Sequence, residues 1–170
     1  MIRAALLTDL ASLIGVELAC FGNGAWNASL LEGELCGGTR SVLLSADGAF
    51  VVGYGSIMVV DAVADLQRIA ILPAARRRGL GHELLQELLT RASGLGATRI
   101  LLEVAASNAQ AICFYESFGF QMISRRRRYY SGNTDALVME RALGESSGAE
   151  QCDAIGDGAA PSSTCQLAAE

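Results

Sequence analysis

The sequence contains no lysine: all thirteen basic residues of the 170-residue chain are arginine. It has a single histidine, His82, a single tryptophan, Trp26, and two prolines. One histidine cannot build a zinc site alone, and the five cysteines form no C-x-x-C pair or Cys/His cluster, so no metal is expected. Cys20, Cys36 and Cys113 fall in apolar helical stretches and read as small buried hydrophobes, with Cys152 and Cys165 near the end of the chain. Free thiols fit a reducing, cytoplasmic setting. No apolar run approaches the ~18–20 residues of a membrane span. The opening MIRAALLTDL also lacks the apolar core and cleavage site of a secretory leader.

Basic charge is missing from the end of the chain as well. Residues 144–170 carry Glu145, Glu150, Asp153, Asp157 and Glu170 and no base. The remaining thirteen acids balance the thirteen arginines within residues 1–143. A neutral body argues against a general polyanion-binding surface, so nucleic acid is not an expected partner. The end segment, rich in Gly, Ala, Ser and acid, predicts a disordered tail over 144–170 behind one ordered domain over 1–143.

Within 1–143 the pattern alternates between strand and helix periods. Ile2–Leu6 reads as a strand, and Thr8 or Asp9 as the cap of a helix with Leu10, Leu13, Ile14, Leu18 and Phe21 on its apolar face. A second helix is predicted from Asn27 to Leu35. Strands follow at Ser41–Ala46, Phe50–Val60 and Val63–Leu72, with a turn at Asp47-Gly48 and a stop at Pro73. From Gly79 to Gly94, Leu80, Leu84, Leu85, Leu88, Leu89 and Ala92 share a helical face. Thr98–Val104 is a buried-looking strand, and a helix begins at Ser107 or Asn108, with Ser107 and Gln110 spaced as a capping box. Two strands close the order β α α β β β α β α β β, a mixed α/β sheet with an antiparallel first half.

Two segments carry candidate chemistry. Ile69-Ala-Ile-Leu-Pro-Ala-Ala-Arg-Arg-Arg-Gly-Leu-Gly-His82 is a strand running through an Arg/Gly loop into a helix. Small residues and a helix N-terminus suit a phosphate or pyrophosphate, and Arg76, Arg77 and Arg78 add cation. On spacing alone, a βα turn with solvated arginines is the competing reading. The second segment places Asn108, Ala111 and Tyr115 at i, i+3 and i+7 on one helix face, after a strand whose Glu103 stands among Ile100, Leu101, Leu102 and Val104. A carboxylate in such a run must be paired, solvated or shifted in pKa. A structural ion pair, a capping Asn108 and a core-packed Tyr115 are the plain alternatives.

Together these motifs resemble the GNAT acyltransferase superfamily. Arg76-x-x-Gly79-x-Gly81 after a strand is similar to its acetyl-CoA pyrophosphate loop. The run Leu102-Glu-Val-Ala-Ala-Ser-Asn-Ala-Gln-Ala-Ile-Cys-Phe-Tyr-Glu-Ser-Phe-Gly-Phe120 resembles the pattern of its ribosomal-protein-alanine branch, as do Arg128-Tyr-Tyr130, Asp135-Ala136 and Met139. The resemblance covers residues 1–143 and is strongest over 66–141. It implies the GNAT fold, a mixed and mostly antiparallel central sheet with helices on both faces and splayed central strands. It further implies acetyl-CoA as acyl donor, held by Ile69, Ala70, Ile71, Arg76, Arg77, Arg78, Gly79, Leu80, Gly81, His82 (through its backbone N–H) and Asn108.

By the same resemblance Glu103 is the general base and Tyr115 the general acid of a direct transfer, with no metal. Trp26 and Tyr130 are candidates for acceptor contact. The implied acceptor is a protein N-terminus, the alanine of small-subunit ribosomal protein number eighteen, and the enzyme is expected as a monomer. Alternatives are a GNAT acting on a lysine, a small molecule or an RNA-linked amine, and a non-catalytic acetyl-CoA-binding module. The chain departs from the branch in two places. Gly24-Ala-Trp-Asn-Ala28 stands where a His-Pro-Trp-Ser-like stretch is usual, and Ala105 stands where an arginine commonly follows the Glu-Val pair. The run Arg125–Arg128 reads as a solvated edge strand.

Overall fold

The computed structural model describes residues 1–130, 134–144 and 167–168. Its elements are β1 (Ile2–Ala4), α1 (Leu10–Phe21), α2 (Ala28–Cys36), β2 (Arg40–Asp47), β3 (Phe50–Val60), β4 (Val63–Ile71), α3 (Leu80–Gly94), β5 (Arg99–Ala105), α4 (Ala109–Ser117), β6 (Gln121–Tyr130), β7 (Thr134–Ala142) and β8 (Leu167–Ala168). Through β7 this is the expected order. The expectation of disorder over 144–170 falls mostly on 145–166 and 169–170, which lie outside the described residues.

The strands form one sheet in the order β1-β2-β3-β4-β5-β7-β6. Neighbours are antiparallel except β4 and β5, which run parallel. That parallel pairing is short: only Val63–Asp65 face Arg99–Leu101. Beyond it β5 continues along β7, whereas β4 continues along β3 as far as Ile71. The two central strands therefore splay. The inner edge of β4 is met further on by β8, whose Leu167 and Ala168 pair in parallel with Ile69 and Ala70.

Helices cover both faces, and alternation along the strands builds the two halves of the core. Val42, Leu44, Tyr54 and Ala70 pack under α1 and α2 with Leu13, Val16 and Leu31. Leu43, Ile57, Leu66, Ile69 and Ile71 pack on the other face with Leu84, Leu85, Leu88 and Leu89 of α3 and Ala111 and Tyr115 of α4. Gly55 allows the second contact, since a Cβ there would lie 2.5 Å from Leu88 Cδ1.

A β-bulge interrupts β4. Ser56 faces Arg68 but Ile57 faces Leu66, so Gln67 is the extra residue. One added residue reverses which side chains face which way. Leu66 and Ile69 thus both point to α3, and Arg68 and Ala70 turn toward α1.

Local details differ from the sequence reading where tertiary contacts decide. In α1 the buried positions are Leu13, Val16 and Glu17, and Leu18 is exposed, because Glu17 has a buried partner and Leu18 has no facing element. Asp9 precedes α1 without capping it by its side chain, which instead binds Arg3 and the Leu6 N–H. The cap of α4 is Asn108, and no Ser107 capping box forms. Cys36 and Cys113 are exposed and Cys20 is half-buried, so these thiols are not core residues.

Candidate active site

The strand-to-helix turn after β4 is built from backbone. Ile69, Ala70 and Ile71 have fully buried side chains, so only main-chain groups remain to be presented. Leu72 donates its N–H to Val52 O of β3 at 2.8 Å, and alternation along a strand sends the Ile69 and Ile71 N–H groups to the opposite, splayed side. Beyond the turn Pro73–Ala75, Arg77 adopts φ +59° and Gly79, the N-cap of α3, adopts φ +79°. Gly79 has no side chain to cap α3, which leaves the first N–H groups of a fifteen-residue helix available to an anion.

A small pocket lies at this turn, lined by Ile71, Ala75, Arg76, Arg77, Gly79, Leu80 and Gly81. Arg76 is braced by donating Nε to Ile71 O at 3.0 Å. Arg78 pairs with Asp47 at 2.9 Å, an exposed contact of little energetic weight. Six of the predicted loop residues, from Ile71 through Gly81, thus converge. The His82 side chain instead packs on Phe118, with centroids 4.5 Å apart.

On the other side of the splay, Glu103 is held between strands. Its Oε1 accepts from Arg126 Nη1 at 2.6 Å, and its Oε2 is buried without a hydrogen-bond partner among the described residues. The ion pair considered at the sequence level is real, yet it occupies one oxygen only. Asp65 of β4 lies at the point of divergence, opposite Leu101. Burial, and then the charge of Glu103, push the Asp65 carboxyl up from its ordinary range.

Asn108 Oδ1 accepts the Ala111 N–H at 3.1 Å, so the side chain caps the start of α4. Tyr115 is fully buried, edge-on to Phe120 with centroids 5.6 Å apart and tilted against Phe114. It shares its cluster with Ile69 and Ile71, so the two predicted segments do meet in the core.

Trp26 is half-buried between α1 and α2. Its backbone N–H donates to Glu17 Oε2 at 2.6 Å, and its ring lies 4.5 Å from the Arg68 guanidinium. The side chain of Tyr130 lies outside what is described; its backbone pairs with Thr134. The arginine run does form the sheet edge, but it is not simply solvated. Arg125 pairs with Asp135 at 2.7 Å and Arg126 reaches inward to Glu103, because alternation sends successive arginines to opposite faces.

Sequence reasoning missed Asp65, Arg126, Glu17 and Arg68. For Glu17, Asp65 and Arg68 the signal was the one used for Glu103, a charge inside an apolar run. Arg126 gave none, since its importance comes from strand register. Among the described residues, no group of three or more His, Cys, Asp and Glu side chains could hold a metal ion. No described helix is long and apolar enough to cross a membrane.

Residues 24–120 match the model of the acetyltransferase (GNAT) family. The [ribosomal protein bS18]-alanine N-acetyltransferase of Salmonella typhimurium is 41% identical over 56% of this chain and 66% of its own length. The alignment with the Escherichia coli protein of the same name spans 62% of that protein. The chain therefore matches just under two thirds of these relatives. The N-alpha-acetyltransferase RimI of Mycobacterium tuberculosis is 34% identical over 74% of this chain and 81% of its own length. The crystal structure of the Escherichia coli ribosomal-protein-S18-alanine N-acetyltransferase superposes with a TM-score of 0.81 at 28% identity, covering 89% of this chain and 99% of that one.

Proposed function

The chain belongs to the GNAT acetyltransferase family, and from that premise we propose that it is an acetyl-CoA-dependent N-terminal α-amino acetyltransferase acting on the alanine of ribosomal protein bS18. The observation that carries the donor assignment is the splay of β4 from β5, which parts the Ile69–Ile71 edge from β5 and leads it straight into the uncapped N-terminus of α3, with β8 meeting that edge at Ile69 and Ala70. The groups present suit an extended, amide-bearing arm ending in pyrophosphate. The Ile69 and Ile71 N–H groups serve the arm, and Arg76–Arg78, Gly79, Leu80, Gly81 and the His82 N–H serve the anion. Acetyl-CoA supplies an activated acetyl thioester. The domain responsible is residues 1–143.

The acceptor amine must be neutral to attack. An α-amine has a reference pKa of about 7.7–8.0 against about 10.4 for lysine, so a carboxylate completes its deprotonation with little tuning. Glu103 Oε2, with no hydrogen-bond partner among the described residues, takes that proton directly or through a water. Tyr115 returns a proton to the departing thiolate, since a phenol of reference pKa about 10 can protonate a thiolate of about 8.5. The Ile69 and Ile71 N–H groups on the splayed side stabilise charge developing on the carbonyl oxygen. Trp26 forms the lip of the acceptor groove, and Tyr130 is the second candidate for acceptor contact.

The test is thiol release from acetyl-CoA with three peptides: the Ala-starting N-terminus of bS18, the same peptide N-terminally blocked, and an internal-lysine peptide. Turnover of the free Ala peptide alone is expected. Turnover of the lysine peptide, or of none, sends the acceptor elsewhere while leaving the family membership intact.

A further inference from the structure

Glu17 and Arg68 are fifty-one residues apart in sequence and meet as a buried fork, with Nε–Oε1 at 3.0 Å and Nη2–Oε2 at 2.8 Å. Both are removed from water, at 0% and 1% side-chain exposure. Burying such a pair is not in itself stabilising, because apolar residues of similar volume often serve as well or better. Its position shows what the charges hold. Arg68 Nη2 also donates to Gly24 O at 2.8 Å, and Glu17 Oε2 accepts the Trp26 backbone N–H at 2.6 Å. The guanidinium lies 3.9 Å from the Phe21 ring centroid and 4.5 Å from that of Trp26. Tyr54 completes the set by donating its hydroxyl to Glu17 Oε1.

The segment being held has little of its own to hold it. Gly22, Asn23 and Gly24 form an exposed 3-10 turn, with Gly22 at φ +53°. The strand doing the holding is β4, where the bulge at Gln67 turns Arg68 beneath α1 while Ile69–Ile71 line the splayed edge. One side chain thus links the donor strand to the lip.

We propose that Glu17 and Arg68 are positioning residues for acceptor recognition, tying the Gly22–Trp26 lip to β4 and so setting where the Trp26 ring stands. This rests on the reading of Trp26 as part of the acceptor groove. The pair touches neither substrate and acts through Trp26. Its effect belongs in acceptor binding: the acceptor KM rises when the pair is lost, while the acetyl-CoA KM stays in place.

Trp26 is the only tryptophan of the chain, so its fluorescence reports the lip directly. The test uses the full chain carrying Glu17→Met and Arg68→Met together, which removes both charges without leaving one unpaired. The expected result is a folded protein whose acrylamide quenching of Trp26 rises severalfold. Its KM for the bS18 peptide rises about tenfold, with kcat and the acetyl-CoA KM within about threefold of the parent. Should the pair of methionines prevent folding, Arg68→Lys keeps the charge but loses the planar fork and should give the same split. A folded variant with parental quenching and parental acceptor KM overturns the proposal. A parent chain that acetylates no α-amino peptide overturns the acceptor assignment instead. The quenching comparison then still decides whether the pair holds the lip.

Discussion

Glu103 and Arg126 meet at 2.6 Å across an intervening strand, β7, and the contact leaves the second oxygen of Glu103 buried and unpartnered among the described residues. An ion pair that saturated both oxygens would be architecture. One that fixes a single oxygen orients the carboxylate and leaves the other for a proton. Glu103→Gln should therefore cut kcat/KM for the acceptor by about 10²–10⁴-fold, the usual range for losing a general base. Acetyl-CoA affinity, measured by calorimetry, should change little. A Gln variant of near-parental turnover would move the base elsewhere, with Asp65 as the next carboxylate to test.

Tyr115 contributes a ring to the core as well as a phenol. Tyr115→Phe keeps the edge contact with Phe120 and removes only the hydroxyl. Turnover should fall by about 10²-fold while acetyl-CoA still binds, because the proton is needed at departure of the thiolate. Equal turnover of the two proteins would take Tyr115 out of the acid role.

Two neighbouring glycines of β3 should respond differently to alanine. A Cβ on Gly53 would meet Ala70 O at 2.6 Å, which is backbone, whereas one on Gly55 would meet the end of the Leu88 side chain at 2.5 Å. Gly53→Ala must push β4 aside at the donor stretch. It should cost about 1–3 kcal/mol in denaturant melts and raise the acetyl-CoA KM. Gly55→Ala should be milder on the KM, since a leucine can change rotamer.

The β8 pairing places Leu167 and Ala168 against Ile69 and Ala70, the same edge proposed above for the donor arm. The two cannot occupy it together. Deleting residues 145–170 should lower the acetyl-CoA KM severalfold and leave the melting temperature nearly unchanged. An unaltered KM in the shortened protein would show that the pairing gives way without cost.

Asp65 supplies a pH test. Its carboxyl is pushed up by burial and by Glu103, so the folded state binds its proton more tightly than the unfolded state does. Stability from this group is full below the unfolded pKa of about 3.9 and is lost as pH rises through the folded value. Asp65→Asn should raise the melting temperature at pH 7, and the gain should shrink toward zero below about pH 4. A gain that persists in acid would point to a cause other than ionisation.

Local pattern alone carried the element order from β1 to β7, the Arg/Gly loop, and the common helix face of Ala111 and Tyr115. Each of these follows from short-range period, breakers and capping chemistry, which a chain carries within any ten-residue window. Family resemblance added the roles proposed for Glu103 and Tyr115. Strand register belongs to tertiary structure, and register decided the rest. It set the early end of the β4–β5 pairing at Asp65 and Leu101, the reach of Arg126 to Glu103 across β7, and the bulge at Gln67 that brings Arg68 to Glu17. A one-residue shift in pairing sends every later side chain to the opposite face, and such a shift leaves no local mark in the sequence.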